Sequence, residues 1–377
     1  MSFLIATFYF FYFAVIAVHI IFMPKVLEMV GYTPSEIGII FAAAPLVRFA
    51  LPFAFIRGLQ LNRAVFNAAL LLMSASSLAF FVSLHSFWGL LAVSIGLGMG
   101  LSLVLPYIEV AALSRIGKER YGKVRLYGSV GFIVVALVLV RFLTAPETAI
   151  AYLAAMTLLT ALFGYLVAGH GEHAQQHYHP DDGTAPVKLV AHWPLWVGLG
   201  LMQVSFGAFY NFFTIYETAH GVSMDMTVYL WSFGVVIEIL MLYFQGPLLR
   251  RDLLGLLQFA AAATALRWLL VYLFPTSLPL LFLAQSIHAL SFALFHSAAI
   301  SYLFHRYSQK NLAQQFFSGV SYGLGGFVGA LSAGYIYEYW PDRLFLGAAF
   351  IALLSFLSLR RARCVEQETG ECRRNTD

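Results

Sequence analysis

Apolar residues gather into long runs along this chain, with short polar punctuation between one run and the next. A hydrophobic stretch of roughly 20 residues is long enough to cross a bilayer as a helix. Such stretches fall at residues 3–24, 35–56, 64–84, 87–113, 124–143 and 149–168, and again at 193–218, 225–248, 253–274, 279–304, 312–337 and 343–360. One longer polar stretch, Gly169–His192, separates the two sets and carries His170, Glu172, His173, His177, His179, Asp181 and Asp182. The pattern predicts an all-α membrane protein of twelve transmembrane helices in two six-helix halves. Its domains are a bundle over 1–168, a His-rich cytoplasmic linker over 169–192, a second bundle over 193–360 and a cytoplasmic tail over 361–377. The opening MSFLIATFYFFYFA has neither a basic leading region nor a small-residue cleavage site, so it reads as the first span and not as a signal peptide.

The basic residues orient this arrangement. With both termini cytoplasmic, 17 of the 22 Lys and Arg residues fall in cytoplasmic segments, against Lys25, Arg141 and Arg343 outside. A missed or invented span would invert every later loop and destroy the bias. The halves echo each other: basic turns follow the second span of each (Arg57 and Arg63; Arg250 and Arg251) and the fourth of each (Arg115 to Arg125; Arg306 and Lys310). Parallel six-helix repeats arranged around a midplane site are an established transporter architecture.

Composition agrees with a chain solvated by lipid. It has 377 residues, is 60% hydrophobic and only 11% charged, and has a mean hydropathy of +0.80, whereas a soluble domain is about 25% charged. The basic residues are not massed on one soluble face, which argues against nucleic acid as a partner. Cys364 and Cys372 both lie in the tail and form no disulfide framework and no metal quartet. There is no HExxH and no phosphate-binding loop, so no cofactor is expected and the chain is not read as an ATP-driven pump or an enzyme. Gly319–Gly323 matches G-x-S-x-G formally, but lies inside a span and not on the strand–turn–helix that a nucleophilic serine needs.

Four ionisable residues sit deep in apolar segments: Arg48, Glu238, Arg267 and His288. A charge at bilayer depth costs about 2.5–3.5 kcal/mol on insertion scales and marks a polar pathway. At a rise of about 1.5 Å per residue, Arg267 lies roughly 10 Å and His288 roughly 13 Å from the outer ends of their spans, with Glu238 somewhat deeper and Arg48 roughly 20 Å in. Arg267 and His288 can therefore meet if their helices pack together. A buried arginine suits a carboxylate through two parallel hydrogen bonds, and a glutamate or histidine can carry a proton. The other reading is static: ion pairs that lock the bundle, with His288 hydrogen-bonded between helices. Glu109 and Arg125, at the inner ends of the fourth and fifth spans, are either a gate or a surface salt bridge. His296 reads as a packed, hydrogen-bonded histidine, and Glu217 as a residue near the outer end of the seventh span, in reach of water. Tyr12, Tyr210 and Asn211, among Phe209, Phe213 and Tyr216, offer π-faces with polar tips that suit an aromatic acid, a nucleoside or a sugar. Gly96, Gly98 and Gly100 in the fourth span and Gly319 to Gly329 in the eleventh read as sites of close helix packing.

The run FYFFYFA, then GYTPSEIGIIFAAAPLVRF, YGKVRLYGSVGF, FGAFYNFFTIYETAHG, LWSFGVVIEI, ALRWLL and QSIHALSFALFH together resemble the major facilitator superfamily over about residues 1–360. The chain is most similar there to the phenylpropionate-permease-like branch, relatives of lactose permease and nucleoside–proton symporters. It departs from the superfamily pattern after the second span, where RGLQLNRAV lacks the usual Asp and second Gly. Gating contacts attributed to that signature are therefore not carried over. The resemblance implies a monomeric multi-pass protein of the bacterial inner membrane that takes up a small organic solute with protons by alternating access. It implies an aromatic monocarboxylate as substrate, with Arg48, Arg267, Tyr210, Asn211 and Tyr12 binding it, and Glu238 with His288 coupling protons, as in the polar lattice of lactose permease. A proton symporter for a nucleoside or sugar is the alternative.

His173, His177 and His179 fit either a solvated linker or a transition-metal site. A solvated linker predicts that zinc leaves proteolysis of Gly169–His192 unchanged; protection by zinc would establish the metal site.

Overall fold

The computed structural model describes residues 1–169, 191–307 and 310–368. All regular elements among them are helical. The long helices are α1 (Ser2–Val30), α2 (Pro34–Phe55), α3 (Arg63–Ser83), α4 (Phe87–Gly117), α5 (Arg120–Phe142) and α6 (Pro146–Gly169). There follow α7 (Trp193–Ala219), α8 (Met224–Phe244), α9 (Leu253–Leu273), α10 (Leu278–Arg306), α11 (Leu312–Tyr339) and α12 (Pro341–Val365). Eleven of them are long and apolar enough to cross a membrane. The exception by composition is α7, which carries Gln203, Ser205, Asn211, Thr214 and Glu217, all of them buried. Its polar side chains are turned into protein, so the average hydropathy of the helix understates how little of it meets solvent.

Local sequence sets the helix ends. Thr33 and Glu36 form a reciprocal capping box at the start of α2, with the Glu36 carboxylate accepting from the Thr33 amide at 2.8 Å and Pro34 in the first turn. Asn62, Ser86 and Asp252 each accept a backbone N–H at the start of α3, α4 and α9. Gly117, at φ 72°, breaks the run between α4 and α5, where a residue with a Cβ would be strained. Within the helices, π-helical turns occur at Val18–Phe22, Ala289–Leu294 and Ser318–Gly325. Ser321 of the G-x-S-x-G match is fully buried in the last of these and presents no exposed nucleophile.

By internal contacts the chain divides into two compact units, Met1–Tyr178 with Tyr210–Ser232, and His179–Phe209 with Phe233–Asp377. In the first, α1 packs on the α4–α5 run and on α6, and α3 packs on α4 and α6. Arg115 donates to the carbonyl of Val167 at 2.7 Å, a cation on the orphan carbonyls at the end of α6. In the second, α9 packs on α12 and α10, and Arg363 pairs with Asp252. Ser355 and Ser358 donate to the carbonyls of Gly198 and Pro194, each at 2.7 Å, tying α12 to α7. The outward surface is apolar: Val82 is 86% exposed and Trp88 75%.

Close approach of helix backbones needs glycine at several positions. A Cβ on Gly207 of α7 would overlap the backbone of Gly329 in α11, and one on Gly131 of α5 would overlap the backbone of Phe10 in α1. The packing expectation holds for Gly96, Gly98 and Gly100 of α4 and for Gly325 and Gly329 of α11, but not for Gly319, which has open space around it; α5 and α7 also contribute close-packed glycines. Gly207→Ala is expected to cost about 1–3 kcal/mol through overpacking, read as a lower unfolding temperature in detergent. Gly122→Ala, at a helical site with open space around it, is expected to leave that temperature unchanged or slightly raised.

Candidate functional site

The second unit holds a buried polar chain built from three helices. Arg267 of α9 is fully buried, and its guanidinium is committed on both terminal nitrogens. Nη1 lies 2.9 Å from His288 Nδ1 and 3.4 Å from Ser291 Oγ, and Nη2 donates to Gln285 Oε1 at 3.0 Å. Gln285, His288 and Ser291 follow at intervals of three on α10, which puts them on one face. The π-helical turn Ala289–Leu294 begins directly after His288, and such turns are frequent at functional sites. Beyond the histidine, His288 Nε2 stands 3.5 Å from Glu238 Oε2 on α8.

The tautomer of His288 follows from its partners. Arginine can only donate, so Nδ1 must accept, and the ring proton of a neutral imidazole is then on Nε2, directed at Glu238. The histidine thus lies between the acid and the arginine. Aromatic faces complete the setting. The guanidinium carbon is 4.3 Å from the ring centroids of both Phe209 and Trp268, and 5.7 Å from that of Phe206. Cation–π contact in a desolvated place is worth about 2 kcal/mol or more, which offsets part of the cost of burying the charge.

The first unit holds a second polar cluster. Arg125 Nε is 3.6 Å from Glu109 Oε1, which also accepts from the Tyr121 hydroxyl at 3.2 Å. The Arg125 guanidinium lies 5.2 Å from the Phe13 ring and 5.9 Å from that of Tyr9. Both partners of the pair are about one-third exposed, a setting in which an ion pair contributes about 0–1 kcal/mol. Tyr12 is buried, stacks on Phe8 at 5.7 Å and donates its hydroxyl to the carbonyl of Leu101 at 3.0 Å. Arg48 is half-buried, within electrostatic reach of Tyr12, and makes no hydrogen bond or ion pair among the described residues. Pro52 cannot donate to the carbonyl four residues back, so the Arg48 carbonyl also lacks its regular helical donor.

The structure therefore brings Arg267, His288 and Glu238 together, and Glu109 with Arg125. Tyr210 and Asn211 lie on α7, half-buried and buried respectively, with Tyr12 and Arg48 in the same contact-defined unit. Gln285 and Ser291, which the sequence reading did not single out, complete the arginine's shell; their i−3 and i+3 spacing from His288 is the signal that points to them. His296 is hydrogen-bonded to the Tyr322 hydroxyl at 2.7 Å. One expectation is corrected: Glu217 is not in water but fully buried, because its turn of α7 faces protein and not the loop that follows. Among the described residues no group of three or more His, Cys, Asp or Glu could hold a metal ion, and His173, His177 and His179 lie outside them.

Removing the acceptor of a buried charged donor leaves it unsatisfied. Gln285→Leu is expected to cost about 1–3 kcal/mol, measured as a lower thermal midpoint of the purified protein; an unchanged midpoint would mean that Arg267 does not depend on this contact.

Known proteins converge on the same architecture. In Escherichia coli, a probable 3-phenylpropionic acid transporter is 28% identical over 359 residues, covering 92% of this chain and 93% of that protein. The crystal structure of the nucleoside transporter NupG matches with a TM-score of 0.79 at 14% identity, over 96% of this chain and 98% of that one. A D-xylose–proton symporter matches with a TM-score of 0.68 at 11% identity, over 95% and 96%; both likenesses are of fold. The model of the MFS_1 like family matches residues 3–346. This chain belongs to that family, and it is a multi-pass membrane transporter of the major facilitator type, not an enzyme.

Proposed function

We propose that the protein is a proton symporter that takes up an aromatic monocarboxylate of the 3-phenylpropionate class by alternating access. The observation that carries this reading is the buried Arg267, with two donor nitrogens aimed at Gln285, His288 and Ser291 and aromatic faces against its plane. The name of the Escherichia coli relative supports the substrate class. In this reading α7 is the twelfth span, the halves divide at the linker over 169–192, both termini are cytoplasmic, and the protein works as a monomer in the bacterial inner membrane. Arg48, Tyr12, Tyr210 and Asn211 contribute to substrate binding, and Glu109 with Arg125 forms a gate.

The polar chain suggests how anion and proton are coupled. A carboxylate binding both Nη groups of Arg267 would compete for them with His288 Nδ1 and Gln285. The freed Nδ1 can then take a proton, and the imidazolium formed lies beside Glu238 on one side and the incoming anion on the other. Each ligand therefore favours the other, and the coupling is reciprocal.

Addition of 3-phenylpropionate to lightly buffered, de-energised cells producing the protein is expected to raise the external pH above an empty-vector control. A response only to a nucleoside or a disaccharide would keep the symport and replace the substrate; no response to any of them would overturn the reading. Arg267→Lys loses the planar fork and is expected to lower uptake about tenfold or more at normal expression, as loss of about 1.5–3 kcal/mol of charge-assisted hydrogen bonding requires. Glu238→Gln is expected to lower the ratio of proton-driven accumulation to exchange.

A further inference from the structure

Glu217 of α7 has no part in this mechanism. Its side chain is 0% exposed, and neither carboxyl oxygen has a hydrogen-bond partner among the described residues. It lies in the last turn of α7, where its own backbone carbonyl accepts from His220 at 3.2 Å and Val222 at 3.0 Å before Gly221 turns the chain at φ 88°. Carboxylates are disfavoured there, since the helix dipole presents its negative end. Among the described residues no cation is paired with it. Arg141, in the same contact-defined unit, is taken by Asp225 at 3.2 Å and by the Tyr229 hydroxyl at 2.6 Å. His220, one turn on, has Nδ1 2.8 Å from the Tyr216 carbonyl. Along the helix, Phe212, Phe213, Ile215 and Tyr216 are as buried as Glu217 itself.

An ionised carboxyl without a partner in such a place is far costlier than the neutral acid. We propose that Glu217 holds a proton in this conformation and is a second proton-carrying group, on α7, apart from the His288–Glu238 pair. Its ligand is the proton alone. A neutral acid that makes no hydrogen bond does nothing to hold this conformation together, so its use lies in another one, in which water reaches the end of α7 and the proton leaves. The carrying role rests on the symport reading above; the neutral acid does not.

Infrared difference spectra of the full chain in lipid nanodiscs, wild type against Glu217→Gln at neutral pH, test the protonation directly. The neutral-carboxyl carbonyl band is expected to vanish in the variant; loss of carboxylate bands instead, or no difference, would overturn the proposal. If the variant does not fold, the wild-type chain serves. Dicyclohexylcarbodiimide attacks protonated carboxyls in apolar surroundings, and peptide mass spectrometry should find its adduct on Glu217, whereas an unmodified Glu217 would overturn the proposal. For the carrying role, the ratio of proton-driven accumulation to exchange of 3-phenylpropionate is expected to fall about tenfold in Glu217→Gln; a wild-type ratio would overturn that role. A wild-type protein that moves no protons would overturn the symport reading and the carrying role with it, while the infrared result alone decides the neutral acid.

Discussion

A guanidinium fully enclosed by protein is the constraint around which the second unit is organised. Arg267 cannot shed its charge, so every neighbour within reach must answer it: Gln285 and Ser291 with oxygen, His288 with a ring nitrogen, Phe209 and Trp268 with their π-faces. Removing a partner from a buried charge is far more damaging than replacing the whole set with apolar residues. In the proposed mechanism the charge is retained for a ligand. The contacts that satisfy the arginine at rest are the ones a substrate carboxylate would take over.

The scaffold supplies the precision such a handover needs. Close backbone approach at Gly207 and Gly329 lets α7 lie directly on α11. The serine bonds from α12 to α7 fix the same helix on another side. Phe206 and Phe209 of α7 thereby reach the guanidinium on α9. Two of the π-helical turns lie at histidines. The π turn of α10 starts at the residue after His288, and a second such turn in α1 includes His19. In the first unit the Glu109–Arg125 pair is exposed enough to break and re-form at little cost.

Much of this was legible before any coordinates. Long apolar runs mark the eleven helices that are apolar enough to span, because a bilayer imposes a length and leaves no alternative backbone structure. Depth along the helix brought Arg267 and His288 to the same level, and they are bonded. What sequence could not supply is rotation. Glu217 was placed in reach of water from its position near a helix end, yet burial depends on which side of α7 faces protein, and a helix rich in aromatics on every side carries no clear moment to say so. Gln285 and Ser291 were passed over because neutral polar residues in a span are common, and only the spacing around His288 distinguishes them. The sequence pattern treats α7 as a span like the others, yet it is less apolar than the other eleven long helices, and its polar residues are inside.

The most direct measurement is a structure of the protein with 3-phenylpropionate bound. The account predicts the carboxylate density on the two terminal nitrogens of Arg267, with the His288 and Gln285 contacts to them broken and the phenyl ring among the aromatic side chains of α7. Substrate density elsewhere, with Arg267 still held by His288 and Gln285 as here, would contradict it.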